Sequence, residues 1–168
     1  SLCKALLILF LPFATMVTSL PVVETSNIVP ADPMFAGSWK LAEVFDDRMA
    51  PINLPGDRFI LSLQPTKDYW RSGAYDMSLA LGNRLGGRIT VAVPMESDGL
   101  SAGKRKIRIG PVRSTMMMPE ESVFRLEVAM TDILPEMSTI ELVTNGEDGP
   151  ALLVLEGPMR KLVCEQVR

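Results

Sequence analysis

The sequence predicts a mainly β (α+β) domain, a compact antiparallel β-barrel or sandwich of about eight strands with one helix packed on it. Two observations lead to this prediction. Short segments rich in apolar residues, several of them alternating with polar ones, are separated by glycine, proline and asparagine. One longer segment instead repeats its apolar residues with the period of an α-helix. The length of 168 residues suits one domain with short extensions.

Five of the predicted strands precede the helix. Between the first and second strands, segment 46–57 carries Pro51 and Pro55 and is predicted to be a loop. Between the third and fourth strands, segment 82–87 is rich in glycine and is predicted to turn with positive φ angles. The predicted strand bounds are Gly37–Phe45, Arg58–Gln64, Ala74–Leu81, Arg88–Val93 and Lys106–Val112.

One helix is predicted over Pro119–Leu134. Pro119 suits the first helical position, and Glu120 and Glu121 suit the positive end of the helix dipole. An apolar stripe along this segment should be buried on the strands, while Arg125 and Asp132 on the other face should be exposed. The stripe consists of Val123, Leu126, Met130 and Ile133. Three further strands are predicted at Thr139–Thr144, Ala151–Glu156 and Leu162–Val167.

The amino terminus has the pattern of an export segment. Ala5–Val17 is a nearly unbroken apolar run preceded by Lys4, too short to span a bilayer comfortably as a helix. A signal peptidase cut after Ser19 fits the small residues there, and an uncleaved anchor or a buried strand remain alternatives. We therefore expect a secreted or membrane-anchored protein of the secretory pathway. The predicted divisions are a signal peptide or anchor at 1–19, a proline-rich linker at 20–33 and the folded domain at 34–168.

Composition excludes several kinds of chemistry. The chain has no histidine, which removes Ser–His and Cys–His nucleophile chemistry and His-based zinc sites. A pI of about 5.1 argues against a nucleic-acid partner. No metal or dinucleotide motif is present, so we expect no catalytic residues, no cofactor and no metal needed for folding. Of the two cysteines, Cys3 lies in the export segment, which leaves Cys164 as a lone thiol.

Several motifs resemble those of the META domain family, which includes trypanosomatid META proteins and bacterial HslJ-like proteins. The resemblance covers about residues 34–157: a Gly-x-Trp first strand, an Asn followed four residues later by Gly, and a Ser-Thr-Met-Met-Met-Pro run into the helix. A bacterial cysteine is replaced here by Met117 or Met118, which is more similar to the protozoan branch. The resemblance implies the β structure with one helix, and an association with virulence, stress tolerance or secretion. The family-motif residues are Gly37, Trp39, Asn83, Gly87, Ser114, Thr115, Met117, Pro119 and Phe124.

A second resemblance concerns the first strand. Phe35 to Leu41, followed by Phe45 and Met49, is similar to the opening of fatty-acid-binding proteins and lipocalins, the calycins. Fatty-acid-binding proteins place two helices next, whereas Pro51 and Pro55 oppose a long helix here. This resemblance implies an alternative function as a carrier of a small apolar ligand.

Two side-chain clusters have both a binding and a structural interpretation. Met116–Met118 could bind copper(I), but core packing or helix entry is the more common role. Basic residues at 104–106, 108 and 113 could meet an anionic lipid or an acidic partner, or could form a solvated strand edge. The sequence thus favours a non-enzymatic binding or interaction module with an unknown protein partner or a small apolar ligand. Membrane association would run through residues 5–17.

Overall fold

The computed structural model describes residues 32–144, 146 and 149–168. The predicted export segment and nearly all of the linker lie outside these residues. The nine strands, numbered in chain order, are β1 Gly37–Phe45, β2 Ile60–Pro65, β3 Ala74–Ala80, β4 Arg84–Val91, β5 Arg105–Ile109, β6 Arg113–Ser114, β7 Thr139–Thr144, β8 Ala151–Gly157 and β9 Arg160–Gln166. The helices are α1 Tyr69–Ser72 and α2 Glu121–Ile133, with 3₁₀ turns at Glu96–Asp98 and Leu134–Glu136.

Eight strands close into an antiparallel barrel, as the sequence predicts. Their order is β1-β2-β3-β4-β5-β7-β8-β9, and β9 pairs back with β1 to close the ring. The short β6 lies outside this ring and pairs with β4, Gly86 opposite Arg113 and Leu85 opposite Ser114. The closure leaves each of the eight strands paired on both sides, which satisfies its backbone groups.

Helix α2 packs its apolar stripe on the barrel. Val123, Leu126, Met130 and Ile133 are buried in one cluster with core residues from the strands. The opposite face, with Arg125 and Asp132, is exposed to solvent as predicted. The helix begins at Glu121 and ends at Ile133, and Pro135 lies in the 3₁₀ turn that follows. Among the described residues, no helix combines the length and hydropathy that crossing a membrane requires.

The glycine-rich segment 82–87 was predicted wrongly as a turn. Only its first residues form the turn, and β4 begins at Arg84, four residues before the predicted start. Gly86 and Gly87 are strand residues opposite Ser78 and Met77, and neither they nor Gly82 has a positive φ. Pairing with β3 on one side and with β6 on the other outweighs the weak strand propensity of glycine here.

The structure differs from the prediction at the end of the fifth strand and at an additional short helix. The fifth strand ends at Ile109 rather than Val112, and the chain resumes pairing with β4 only at Arg113. Helix α1 was not predicted, because four residues are too few to show a helical period. It ends at Gly73, whose φ of 62° is the left-handed conformation that favours glycine.

Candidate interaction surface

Asn83 lies at the centre of a hydrogen-bond network between β4, β6 and α2. It is buried in the turn between β3 and β4. Its Oδ1 accepts hydrogen bonds from the Met117 backbone N–H at 2.7 Å and from Thr115 Oγ1 at 3.2 Å. Its Nδ2 donates to the Met117 carbonyl at 3.0 Å and to Glu127 Oε2 at 2.8 Å. One side chain therefore fixes the segment that leads from β6 into the helix.

Glu127 completes this network from the helix. Its side chain is buried, with the residue 4% exposed, and its Oε1 accepts a hydrogen bond from the Asn83 backbone N–H. Burying a carboxylate is costly unless it is hydrogen-bonded, and here both oxygens are satisfied by Asn83. Sequence analysis missed Glu127, because it borders the apolar stripe of α2 and its partner is 44 residues away.

Thr115 fastens the start of the same segment to β4. Its Oγ1 accepts a hydrogen bond from the Arg84 backbone N–H at 3.0 Å, and its own N–H donates to the Arg84 carbonyl at 3.2 Å. Ser114, the preceding motif residue, is opposite Leu85 in β6. Thr115 thus fixes the start of the connection from β6 to α2, and Asn83 fixes its middle at Met117.

Three methionines, which we call the methionine loop (Met116–Met118), are exposed on this fixed connection. Met116 and Met118 are fully exposed, at 101 and 100%, and Met117 is 65% exposed. Of the two structural roles expected for this run, core packing is therefore wrong, whereas the run does lead into helix α2. Asn83 forms hydrogen bonds with both the N–H and the carbonyl of Met117. The backbone is therefore held in a position that leaves the apolar side chains of the loop in solvent.

The start of helix α2 adds to this surface. A Cβ on Gly82 would overlap Pro119, so the turn between β3 and β4 packs directly against the chain two residues before the helix. Phe124, another motif residue, is 52% exposed, and Val128 is exposed one turn later on the same face. Exposed apolar side chains thus occur both on the methionine loop and on the first turns of the helix that follows it.

The remaining motif residues lie elsewhere and have structural roles. Trp39 is buried in β1, and its Nε1–H donates to the Phe35 carbonyl at 3.1 Å. Gly37, with a φ of 137°, stands at the start of that strand. Gly87 faces the interior, where a Cβ would meet Met77 Cε at 3.1 Å. The motif thus divides into a core group and the group around Asn83.

The inside of the barrel is filled by side chains. Core residues from the strands and α2 form one buried cluster, which includes Trp39, Leu63, Leu79 and Met130. Beside Phe35 and Tyr69 lies a cavity of about 40 Å³, and a groove of about 830 Å³ along β1 is open to solvent. Neither matches the deep apolar cavity that a carrier of a lipid-sized ligand needs.

The basic cluster lies in and around β5, where Lys106 and Arg108 are exposed on the same side and Arg105 is half-buried. Lys104 pairs with Glu156, while Lys106 pairs with Asp98 at 2.5 Å. Arg108 and Arg113 are exposed. Within the part of the chain that the structure describes, no group of three or more His, Cys, Asp or Glu side chains could hold a metal ion.

Comparison with known proteins supports the fold alone. No family model matches the chain, and no curated protein matches it. A search of solved structures finds an NMR structure of a protein from Burkholderia xenovorans with a TM-score of 0.53. The two sequences are 19% identical, and the match covers 88% of this chain and 99% of that chain. At this identity the likeness is one of architecture.

Proposed function

We propose that this chain is a META/HslJ-like binding module that is exported from the cytosol and acts without catalysis, in virulence, secretion or stress tolerance. One observation carries the binding part of the proposal: the three methionines of the loop are exposed, while the Met117 backbone is fixed by Asn83, which is itself held by the buried Glu127. Thr115, Met117 and Pro119 belong to the segment in which the resemblance to the family is clearest, and Asn83 is another residue of the motif.

The chemistry of the loop favours an apolar partner. Methionine side chains are unbranched and polarisable, so they adapt to differently shaped apolar surfaces. Exposed apolar residues gathered at one place usually mark a site of interaction. Because the backbone of the loop is anchored, binding would order side chains rather than the chain itself, which lowers its entropic cost. We therefore propose an apolar segment of a protein as the partner.

The filled barrel gives the alternative, a carrier of a small apolar ligand, less support. A ligand of lipid size would have to displace buried side chains such as Leu79 and Met130, which are completely excluded from solvent. The groove along β1 is open to solvent and has Lys40, Glu43 and Glu165 beside its apolar residues, so an apolar molecule lying in it would remain partly in water.

Selection from a library of displayed random peptides tests the proposal. The full-length protein should select peptides with apolar or aromatic anchors, and replacing Met116 and Met118 with serine should weaken their binding at least tenfold. Met95→Ser is the matched control, because Met95 is 65% exposed at a distant 3₁₀ turn. Selected peptides that bind the double variant as well as the parent protein would refute the methionine loop as the binding element.

A further inference from the structure

The outer face of β3, β4, β5 and β6 collects positive charge in a protein that is acidic as a whole. Arg84 and Arg88 alternate outward along β4, Arg108 does so on β5, and Arg113 on β6. Two acids pair with cations of these strands: Asp76 of β3 with Arg88 at 3.3 Å, and Asp98 with Lys106 of β5 at 2.5 Å. In the described residues, no carboxylate lies within ion-pair distance of Arg84, Arg108 or Arg113. We call these four arginines the arginine face.

Two residues of the arginine face, Arg88 and Arg113, line an open groove of about 470 Å³. The rest of its lining is Asp76, Gly86, Gly87, Gly110 and Pro111. The groove lies beside β4, between the place where β5 stops pairing with it at Ile109 and the place where β6 begins to pair with it at Arg113. Guanidinium groups at its edges suit oxyanions, because their planar donors bind phosphate oxygens in pairs.

Two glycines in this groove have no structural reason to be glycine. A Cβ on Gly86 would meet its nearest neighbour, the Met77 carbonyl oxygen, at 3.9 Å, and one on Gly110 would meet the Arg88 carbonyl oxygen at 3.7 Å. Both are ordinary contacts, and neither residue has a positive φ. Glycine weakens a strand, so its presence among the arginines fits a surface that another molecule approaches closely.

We propose that the arginine face docks on an anionic phospholipid bilayer, with headgroup phosphates over Gly86 and Gly110. Arg84 and Arg88 are about 13 Å apart along β4, and the face extends across neighbouring strands about 5 Å apart. Such spread-out charge meets several phosphates of a surface at once, whereas a single small anion in the groove would reach only Arg88 and Arg113 of the four arginines. This surface adjoins the methionine loop, because the Arg84 backbone is hydrogen-bonded to Thr115 and Arg113 lies in β6 just before Met116. Vesicle binding and peptide binding are measured separately, so each proposal has its own test.

Vesicle sedimentation of the full-length protein tests this docking. The wild type should bind vesicles containing phosphatidylglycerol more strongly than pure phosphatidylcholine vesicles, and high salt should remove the difference. Each arginine near such a surface contributes about fivefold to the partition coefficient, so replacing Arg84, Arg108 and Arg113 together with glutamine should lower it about a hundredfold. Residues 5–17 are common to all proteins compared and contribute equally to each.

The matched control replaces three exposed cations elsewhere, Arg58, Lys67 and Arg71, with glutamine and changes the net charge equally. This control should keep most of the preference for anionic vesicles. Gly86→Ala should fold as stably as the wild type, and Gly86→Glu should lose the preference. An equal loss of vesicle binding in the two triple variants would overturn the proposal. Binding to soluble polyglutamate without any preference for anionic vesicles would also overturn it, and would indicate an acidic protein as the partner.

Discussion

Replacing Asn83 with alanine should destabilise the protein strongly, although the residue lies in a turn. The side chain makes one hydrogen bond to the buried carboxylate of Glu127 and three bonds to Thr115 and Met117. A bond to a charged group contributes about 1.5–3 kcal/mol, and a neutral bond about 0.5–1.5 kcal/mol. Thr115 and Met117 are exposed and can form hydrogen bonds with water instead, so each of their bonds is assigned the lower end of the neutral range, about 0.5 kcal/mol. We expect a loss of about 3–4 kcal/mol in the free energy of unfolding.

Urea denaturation of Asn83→Ala and of Asn53→Ala measures this loss. Asn53 is an exposed asparagine in the loop between β1 and β2, and its replacement should cost no more than about 0.5 kcal/mol. A double-mutant cycle between Asn83→Ala and Glu127→Ala should give a coupling of about 1–3 kcal/mol, because the two residues share their bonds. If Asn83→Ala costs as little as Asn53→Ala, the network does not hold the methionine loop and the reasoning fails.

Three further predictions concern the core and the helix. Leu126→Ala should cost about 2–5 kcal/mol and Arg125→Ala at most about 0.5 kcal/mol, and equal small losses in denaturant melts would mean that the apolar stripe is not packed. Gly82→Ala should cost about 1–3 kcal/mol, since the new Cβ overlaps Pro119; an unchanged melting temperature would contradict that contact. Burial raises the pKa of the Cys164 thiol from 9.0 to about 12, so its contribution to stability is complete below about pH 9 and is lost as pH rises from there towards 12. Urea melts at about pH 8 and about pH 10 should therefore show a larger alkaline loss for the wild type than for Cys164→Ala, and identical losses would argue against it.

Much of the barrel could be predicted from the sequence, because its strands carry their own periodic pattern. The bounds of β1 and β7 are as predicted, and the helix stripe is buried residue by residue. Such patterns are local: each reports which side of an element faces the core. The closure of the ring, through pairing of β1 with β9, joins residues more than 100 positions apart and has no local signal.

The candidate surface could be predicted only in part. The resemblance to the META family singled out Asn83, Thr115 and Met117, and the structure brings these three together. Nothing in the sequence indicates that Glu127 is their partner, because a carboxylate beside an apolar stripe usually faces solvent. The exposure of the methionine loop was also missed, since an isolated run of methionines more often packs in a core.

Methyl NMR of the protein labelled at its methionines tests the binding proposal most directly. The methyl signals of Met116 and Met118 should move most when a selected apolar peptide is added. Buried Met77 and Met130 should be little affected, because the barrel does not open to the peptide. Shifts confined to other exposed methionines, such as Met95, would contradict the claim that the protein binds through the methionine loop.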